Sequence, residues 1–308
     1  MKIGALIVTT GLSKVSGVTA LLSPAGAISA GQRIISAFQC AGVALVGLVV
    51  GPENKKSERQ LAQNGTVFLR CDADTSFFAG LQKGLSFMHG KFDRVFVVPG
   101  DIPMFFPATL QAMLESTASL VIPQYNAEQG YPLLLDARAM ELLLEQPDLS
   151  AAQEVIRRGV LPLEAVAVED PGILLRGSNL SRRKGLIRSH NSQLTRPSVE
   201  VMLCNGGTLY DSRLALLLHL VEDTHSVLDA CSMMQISYSA AWNMLNHVEE
   251  ELGFPLVKRI RGGSAGSGSI LTEKGQALMH AYDRFSAHMD QTAKELYQEF
   301  LAPLAETI

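Results

Sequence analysis

Short apolar runs alternate with amphipathic helical patterns along the first part of the chain, and this alternation constrains the possible folds more than any other feature of the sequence. The apolar runs are rich in Val, Leu, Ile and Phe and are predicted to be strands: residues 3–8, 43–50, 66–69, 94–98 and 119–122. Helical patterns fill the segments between them: residues 32–41, 58–64, 77–89 and 107–117. The alternation predicts βαβ units, and therefore an α/β domain with a mostly parallel sheet covered by helices on both faces.

The second part of the chain has a different pattern, because helical segments follow one another almost without interruption. They are residues 211–222, 226–234, 237–252 and a long amphipathic stretch from 272 to about 301. Between the last two lies the segment 255–271, which predicts two short strands around a glycine-rich turn. Three helices, a hairpin and a further helix form the order of a mainly α winged helix-turn-helix domain. We therefore predict one domain over residues 1–190, a linker at 191–199 and a second domain over 200–308.

The composition is that of a globular protein, with 47% hydrophobic and 18% charged residues in 308. No apolar stretch reaches the length of a membrane span, and no secretory signal pattern opens the chain, so we expect a cytoplasmic protein without a membrane partner. The four cysteines are far apart and form no C-x-x-C pair. This spacing favours free thiols over disulfides or a zinc site.

Charge is distributed unevenly between the two predicted domains. Residues 1–198 contain 19 basic and 16 acidic side chains, whereas residues 199–308 contain 7 basic and 14 acidic ones. A balance of −7 opposes binding to a polyanion, so DNA affinity in the second domain is expected to be modest and steeply salt-dependent. The basic stretch before it, from Arg182 to Arg196, either adds phosphate contacts or is a solvated linker.

Two polar turns are expected at one edge of the predicted sheet, because both follow the carboxyl ends of parallel strands. The first turn is glycine-rich, of the kind that cradles phosphates, and Lys14 is its only charged residue. The candidate ligand-binding residues in it are Thr9, Thr10, Gly11, Ser13, Lys14 and Gly17. The second turn, residues 99–103, contains Asp101. Plainer alternatives remain: glycines that only shape a turn and an aspartate that only ends a strand.

Three ordered segments resemble the MobA/MocA family of molybdenum-cofactor nucleotidyltransferases, over roughly residues 1–180. They are V-T-T-G-L-S-K with the following A-L-L, V-F-V-V-P-G-D-I-P around Asp101, and G-Y-P-L-L-L at 130–135. The resemblance implies a Rossmann-like nucleotidyltransferase fold, CTP or GTP as the nucleotide, and Mg²⁺ on Asp101. It also implies that Tyr131 lies beside the acceptor, molybdopterin, although an ordinary half-buried aromatic residue is an equal alternative.

Two residues on which the family's chemistry depends are absent from this sequence. Thr19 aligns with the lysine at the end of the glycine loop, and Ser178 aligns with the second metal-binding aspartate. Arg176 stands where another acidic residue is usual. Loss of one group that stabilises transition-state charge costs roughly 10²–10³-fold in rate. Efficient nucleotidyl transfer is therefore not expected, and whether the domain is an enzyme stays open.

Residues 200–285 resemble the DNA-binding domain of the ModE family of molybdate-responsive regulators. The resemblance is carried by I-S-Y-S-A-A-W at 236–242, the glycine-rich turn and L-T-E-K-G-Q at 271–276. It implies a recognition helix over 237–252 and a homodimer formed through the long last helix. Ser237 is a good N-cap for the recognition helix. Trp242 is expected to be packed rather than to contact a base, and a position between the two is the alternative. The residues of this helix expected to face the core are Ala240, Ala241, Met244, Leu245 and Val248. The candidate DNA-binding residues are Tyr238, Ser239, Asn243, Lys258, Arg259 and Arg261. A hairpin whose basic residues are merely solvated is the alternative for the last three.

These features together predict a dimeric transcriptional regulator linked to molybdenum metabolism. ModE proteins carry molybdate-binding domains after the DNA-binding domain, whereas this sequence ends at Ile308. We therefore expect the transferase-like domain to take the sensory position and to bind a nucleotide or a molybdopterin-type ligand. The alternative is an active, Mg²⁺-dependent cytidylyl- or guanylyltransferase whose winged helix serves dimerisation or autoregulation. A third interpretation is a protein-interaction partner in cofactor insertion.

Overall fold

A computed structural model of the protein describes residues 1–12, 21–22, 24–25, 28–52, 58, 60–62, 65–176, 184–260 and 268–301. The chain divides into two compact units, Met1–Thr195 and Arg196–Ile308. Within the described ranges, no helix combines the length and the apolar character that crossing a bilayer requires. All four cysteines lie in these ranges, and no disulfide joins them.

Strands and helices alternate in the first unit, which confirms the predicted α/β class. The strands are β1 (Ile3–Val8), β2 (Pro24–Ala25), β3 (Ile28–Ser29), β4 (Leu45–Val50), β5 (Thr66–Arg70), β6 (Arg94–Pro99), β7 (Leu120–Tyr125), β8 (Glu128–Gln129), β9 (Leu133–Asp136) and β10 (Leu163–Ala167). The helices are α1 (Ala30–Cys40), α2 (Phe77–Met88), α3 (Pro107–Glu115), α4 (Ala137–Leu144), α5 (Leu149–Arg157) and α6 (Lys184–Gln193), with a 3-10 turn at Pro171–Leu174.

The main sheet has the strand order β10-β7-β9-β6-β1-β4-β5, with β8 paired to β7. The pairs among β6, β1, β4 and β5 are parallel, as is the pair of β7 with β10. Strand β9 runs antiparallel between β6 and β7. Every residue of β1 and β6 is buried, as expected for central strands that are covered on both faces.

Local sequence explains where the helices of this unit begin. Several start at a Ser or Asp whose side-chain oxygen accepts a backbone N–H of the first turn: Ser29 for α1, Ser76 for α2, Asp136 for α4 and Asp148 for α5. Helix α3 instead has Pro107 in its first turn, where the missing N–H would have no helical partner. Its far end is closed by the buried guanidinium of Arg94, which donates to the carbonyls of Ser116 and Ala118.

The second unit contains the predicted helix, hairpin and helix order, preceded by a small hairpin that the sequence patterns did not predict. Its elements are β11 (Leu203–Cys204), β12 (Thr208–Tyr210), α7 (Ser212–Thr224), α8 (Val227–Met234), α9 (Tyr238–Leu252), β13 (Val257–Ile260), β14 (Gly268–Leu271), α10 (Glu273–Leu296) and a π turn at Tyr297–Leu301. Strands β13 and β14 pair antiparallel. The buried residues of α9 are Ala241, Leu245 and Val248, which were among the residues expected to face the core, whereas Ala240 and Met244 are only partly buried.

Candidate functional site

The ends of β1 and β6 lie side by side, because Val8 is the parallel partner of Pro99. Thr9 and Thr10, at the end of β1, are both buried. The hydroxyl of Thr9 donates to the carbonyl of Val49 at 2.8 Å, and that of Thr10 donates to the carbonyl of Ser76 at 3.3 Å. These two predicted ligand-binding side chains therefore also tie β1 to its neighbours.

Gly11 has a structural role that does not depend on a ligand. Its φ is +66°, a conformation that residues with a Cβ rarely adopt. A Cβ added there would lie 2.2 Å from the backbone nitrogen of Phe77, the first residue of α2. The close approach to α2 requires glycine, so the alternative of a purely structural turn glycine has support here. Ser13, Lys14, Gly17, Thr19 and Ser178 lie outside the described residues.

Asp101 lies at the same edge of the sheet, just after β6, and is only 2% exposed. Its Oδ2 accepts a hydrogen bond from Nη1 of Arg176 at 2.5 Å, and the two charges form an ion pair. Its Oδ1 is buried and has no hydrogen-bond partner among the described residues. The carboxylate predicted to bind a metal is therefore held by an arginine from a distant part of the chain.

Tyr131, the third element of the predicted site, is half-buried. Burial raises the pKa of its phenol; the positive charge of Arg176 opposes that rise and the negative charge of Asp101 adds to it. The charges of Arg176 and Asp101 therefore both act on the phenol of Tyr131. The phenol stays protonated at neutral pH and remains able to donate a hydrogen bond.

A buried aspartate that the sequence patterns did not single out holds the segment before Arg176. Asp170 is 1% exposed, and it accepts hydrogen bonds from the N–H of Phe106, the hydroxyl of Thr109 and the N–H of Gly172. Burial raises the pKa of this carboxyl, whereas the three hydrogen bonds lower it. Gly172 allows the contact, since a Cβ there would lie 1.8 Å from the carbonyl oxygen of Met104.

A buried histidine fixes α6 to the same region. Nε2 of His190 lies 2.9 Å from the carbonyl oxygen of Phe105, so this nitrogen carries the proton and donates. Nδ1 then accepts from Nη1 of Arg33, at 3.1 Å. The pKa of His190 is lowered to about 4, mainly by burial and also by the charge of Arg33, while the hydrogen bond to Phe105 opposes the shift. The histidine is therefore neutral at physiological pH and has a structural role.

The described residues around Asp101 do not fit Mg²⁺. This ion requires an octahedral set of oxygen ligands, usually with more than one carboxylate or phosphate oxygen. Within the described ranges, no three His, Cys, Asp or Glu side chains come close enough to share a metal. The guanidinium of Arg176 already contacts the carboxylate of Asp101 and would repel a divalent cation.

The second unit presents the predicted DNA-binding face on α9. Ser237 caps this helix by accepting the N–H of Ala240, as predicted from its residue type. Tyr238, Ser239, Asn243 and Asn246 are all exposed on this helix. The predicted DNA-binding side chains of α9 are therefore accessible within the unit.

An arginine of the hairpin in the second unit contacts an aromatic side chain of this helix. Lys258 and Arg259 on β13 are both exposed, and Arg261 lies outside the described residues. The guanidinium carbon of Arg259 lies 4.6 Å from the ring centre of Trp242, and the ring of Tyr238 meets the indole edge-on at 6.1 Å. Trp242 is half-buried beneath these groups, consistent with the packed position expected for it.

One of the three consecutive acids at the end of α9 has an internal role. Oε1 of Glu249 accepts the N–H groups of Leu256 and Val257, at 2.7 and 3.0 Å. Glu250 and Glu251 are exposed, and Glu251 accepts a hydrogen bond from Asn205 at 2.7 Å. Part of the negative charge on this helix therefore serves to anchor the hairpin and lies away from the residues predicted to contact DNA.

The long helix α10 is divided into two halves by its environment. Met279 and Tyr282 pack inside the unit, and the hydroxyl of Tyr282 donates to the carbonyl of Val201 at 2.7 Å. These two residues of the long helix, through which the resemblance implies a homodimer, are thus used within one chain. Beyond them, exposed apolar side chains continue along the helix and the π turn: Phe285, Leu296, Phe300 and Leu301.

Comparisons with known proteins find different relatives for the N-terminal and the C-terminal part of the chain. Residues 5–163 match the family model of the MobA-like NTP transferase domain. A nucleotidyl transferase from Methanothermobacter thermautotroptrophicus has the same fold, with a TM-score of 0.51 and 22% identity over 61% of this chain and 99% of that one.

The C-terminal part has homologues among ModE regulators. The chain is 34% identical over 97 residues to the transcriptional regulator ModE of Yersinia pestis, covering 30% of this chain and 35% of the relative. It is 30% identical over 92 residues to the DNA-binding transcriptional dual regulator ModE of Escherichia coli (strain K12), with the same coverage of 30% and 35%. The chain thus spans about a third of the length of these curated relatives.

Proposed function

Because the chain belongs to the MobA-like NTP transferase domain family through residues 5–163, we propose that its first unit binds a nucleotide or a molybdopterin-type ligand and that its second unit binds DNA. The protein is then a cytoplasmic transcriptional regulator linked to molybdenum metabolism, in which the bound ligand changes the affinity for DNA. Direct contacts to a ligand would come from Thr9, Thr10, Gly11 and Tyr131, and from Ser13, Lys14 and Gly17 outside the described residues.

The ion pair between Arg176 and Asp101 is the observation that carries the proposal. A transferase needs that carboxylate to hold a metal across the triphosphate, since phosphoryl transfer depends on positioning and on neutralising charge. Here the carboxylate is 2% exposed and already has a cationic partner. A ligand-binding site tolerates this arrangement, whereas efficient catalysis does not.

The surface of α9 supports the DNA-binding part of the proposal. Tyr238, Ser239 and Asn243 are exposed near the amino end of the helix, the end that reads base edges in helix-turn-helix proteins. Lys258 and Arg259 add positive charge on the hairpin, and charge of this kind contacts phosphates and positions the protein on the duplex. The net charge of −7 in residues 199–308 implies that binding weakens steeply with salt.

We further propose that two copies associate through the second half of α10. Phe285 is 49% exposed and Leu296 is 49% exposed on the helix, and Phe300 and Leu301 extend the apolar surface. Apolar residues at helical spacing that find no partner within a chain are the usual basis of a helix–helix seam between chains. A dimer would present two copies of α9 to a palindromic operator.

DNA binding is best tested with the full chain and an unbiased pool of DNA. Duplexes would be selected from random sequence, and the affinity of the selected duplex measured by fluorescence anisotropy at several salt concentrations, with and without CTP, GTP or molybdate. We expect Asn243→Ala to lose sequence discrimination, and Arg284→Ala, an exposed arginine on α10 outside the predicted face, to leave it unchanged. Failure to select any sequence at low salt would contradict the proposal.

The family match favours one rival, an active cytidylyl- or guanylyltransferase. This rival predicts steady release of pyrophosphate from CTP or GTP in the presence of molybdopterin and Mg²⁺, and loss of that release in Asp101→Ala. The proposed regulator predicts no turnover above the rate without protein, together with a DNA affinity that depends on the ligand. The two measurements separate the hypotheses, because each predicts a positive signal where the other predicts none.

A further inference from the structure

The geometry points to a ligand site in which an arginine of the chain takes the place of a metal ion. We propose that Arg176 bridges Asp101 and a phosphate of the bound ligand, so that the first unit binds a nucleotide-type phosphate ester without a divalent cation. This inference rests on the proposed ligand-binding function and specifies how the same site recognises its ligand.

The arginine is held at the site by the fold. The turn before it, Pro171–Leu174, is fixed by Asp170, which bonds to the N–H of Phe106 and the hydroxyl of Thr109 on the segment that follows β6. Strand β6 also leads directly into Asp101. Both members of the ion pair are therefore carried by one cross-linked piece of backbone, and the pairing is preorganised.

The two side chains of the ion pair differ in exposure, so that the carboxylate is buried and the guanidinium faces solvent. The side chain of Asp101 is 2% exposed, whereas that of Arg176 is 57% exposed. A guanidinium has five N–H donors in a planar fork, and one of them is used on Oδ2 of Asp101. Because so much of the side chain is exposed, its other donors lie on the solvent side, where a phosphate group can accept them in pairs.

The buried carboxylate explains why the arginine stays in place when a ligand arrives. Oδ1 of Asp101 is buried without a hydrogen-bond partner among the described residues, so the carboxylate depends on Arg176 for compensation. Removal of the arginine would leave an uncompensated buried charge. A phosphate can therefore bind to the guanidinium but cannot displace it from Asp101.

Tyr131 completes the recognition surface. The charges of Arg176 and Asp101 both act on its half-buried phenol. The backbone N–H of Tyr131 donates to the carbonyl of Ile173, within the 3-10 turn, at 3.1 Å. A protonated phenol beside a guanidinium supplies a further donor for a phosphate oxygen. The guanidinium and the phenol together form a donor-rich surface whose exposed cation suits a phosphate group better than a metal ion.

The test measures binding of CTP and of GTP to the full chain by calorimetry, with Mg²⁺ and with EDTA. We expect the wild-type affinity to be the same in both, and Arg176→Ala to bind at least about tenfold more weakly in both, as loss of a charge-assisted hydrogen bond implies. Arg176→Lys should retain part of the metal-free binding. The control is Arg157→Ala, an exposed arginine paired with Glu154, which should bind like the wild type.

A converse variant tests the same idea without relying on the choice of nucleotide. Arg176→Asp places a second carboxylate beside Asp101, and we expect it to bind Mn²⁺, detected by electron paramagnetic resonance, more tightly than the wild type does. The added Mn²⁺ binding should disappear in Arg176→Asp combined with Asp101→Asn. Wild-type nucleotide binding that requires Mg²⁺ would overturn the inference and leave ligand binding intact. Absence of nucleotide binding in every condition would instead overturn the proposed nucleotide ligand itself.

Discussion

The guanidinium of Arg259 on the hairpin lies over the indole ring of Trp242 on α9, with 4.6 Å between the guanidinium carbon and the ring centre. This contact joins the two elements that are predicted to approach DNA. Trp242 is also the only tryptophan in the sequence, so its fluorescence reports on this junction alone. A change in the position of the hairpin relative to α9 should therefore change the fluorescence of Trp242.

Arg259→Ala should lower the free energy of unfolding by about 0.5–1 kcal/mol, the usual size of a partly exposed cation–π contact. Urea denaturation followed by Trp242 fluorescence measures this change. The control is Lys258→Ala on the adjacent, oppositely facing position of the strand, which should change stability by less than about 0.5 kcal/mol. Equal losses in the two variants would show that the stacking contributes nothing.

Glu249→Ala should destabilise the second unit by about 2–3 kcal/mol, because it leaves the N–H groups of Leu256 and Val257 without their acceptor in a buried position. The neighbouring substitution Glu250→Ala removes the same charge from an exposed position and should have little effect. Thermal unfolding of both variants, followed by circular dichroism, compares them directly. Equal losses of stability in Glu249→Ala and Glu250→Ala would contradict the prediction.

Asp170→Asn should destabilise the first unit by about 2–3 kcal/mol, since the amide places N–H donors against groups that already donate to the carboxylate. Glu169→Gln, at the exposed preceding residue, is the matched control and should be nearly neutral. Because the turn that Asp170 anchors leads to Arg176, Asp170→Asn should also weaken nucleotide binding. Denaturation curves and calorimetry together measure both effects.

Stability of the first unit should decrease as pH falls from about 6.5 to 4. The pKa of His190 is about 4 in the folded protein, below its ordinary value of 6.5, so the unfolded chain takes up this proton first and is favoured. The contribution is fully present above pH 6.5 and amounts to about 3 kcal/mol over the window. His190→Gln, which retains an amide donor for the carbonyl of Phe105, should remove this part of the pH dependence. If the stability of the wild type and of His190→Gln changed with pH in the same way, His190 would not be the cause of the pH dependence.

Combined substitution of Phe285 and Leu296 by Gln should convert the proposed dimer to a monomer without unfolding the protein. Both side chains are exposed within one chain, so their replacement removes apolar surface from the seam and leaves the internal packing intact. Sedimentation velocity measures the mass, and circular dichroism checks the fold. Arg284→Ala is the control on the same helix; a dimer that persists in the double variant would place the interface elsewhere.

Much of the architecture follows from local sequence. The alternation of apolar runs and helical patterns predicted strands β1, β4, β5, β6 and β7 and helices α1, α2 and α3, whereas β10 and helices α4, α5 and α6 were not predicted. The cap residue Ser237 predicted the start of α9. The convergence of the two turns at one sheet edge also followed, because parallel strands end on the same side. These features depend on neighbours within a turn or a pleat, whose spacing is visible in the sequence.

The contacts between side chains in the candidate site could not be predicted from local sequence. Asp101 and Arg176 are 75 residues apart, and their side chains pair only because the turn held by Asp170 brings the second beside the first. The sequence showed that Arg176 occupies a position where the MobA/MocA family usually has an acidic residue. It did not show that Arg176 contacts the carboxylate of Asp101. Similarly, the sequence does not distinguish the three consecutive glutamates on α9, whereas the structure shows that Glu249 accepts a hydrogen bond from the segment that leads into the hairpin.

Sequence by itself determined the fold class, the main strands and helices of each unit and the residue types available for chemistry, because periodicity and capping act over a few residues. Tertiary structure alone decided that Asp101 is paired with Arg176, that His190 is neutral, and that Met279 and Tyr282 are internal while Phe285 is exposed. Burial and long-range pairing determine charge, donor supply and accessibility, and these properties depend on which distant segments meet when the chain folds.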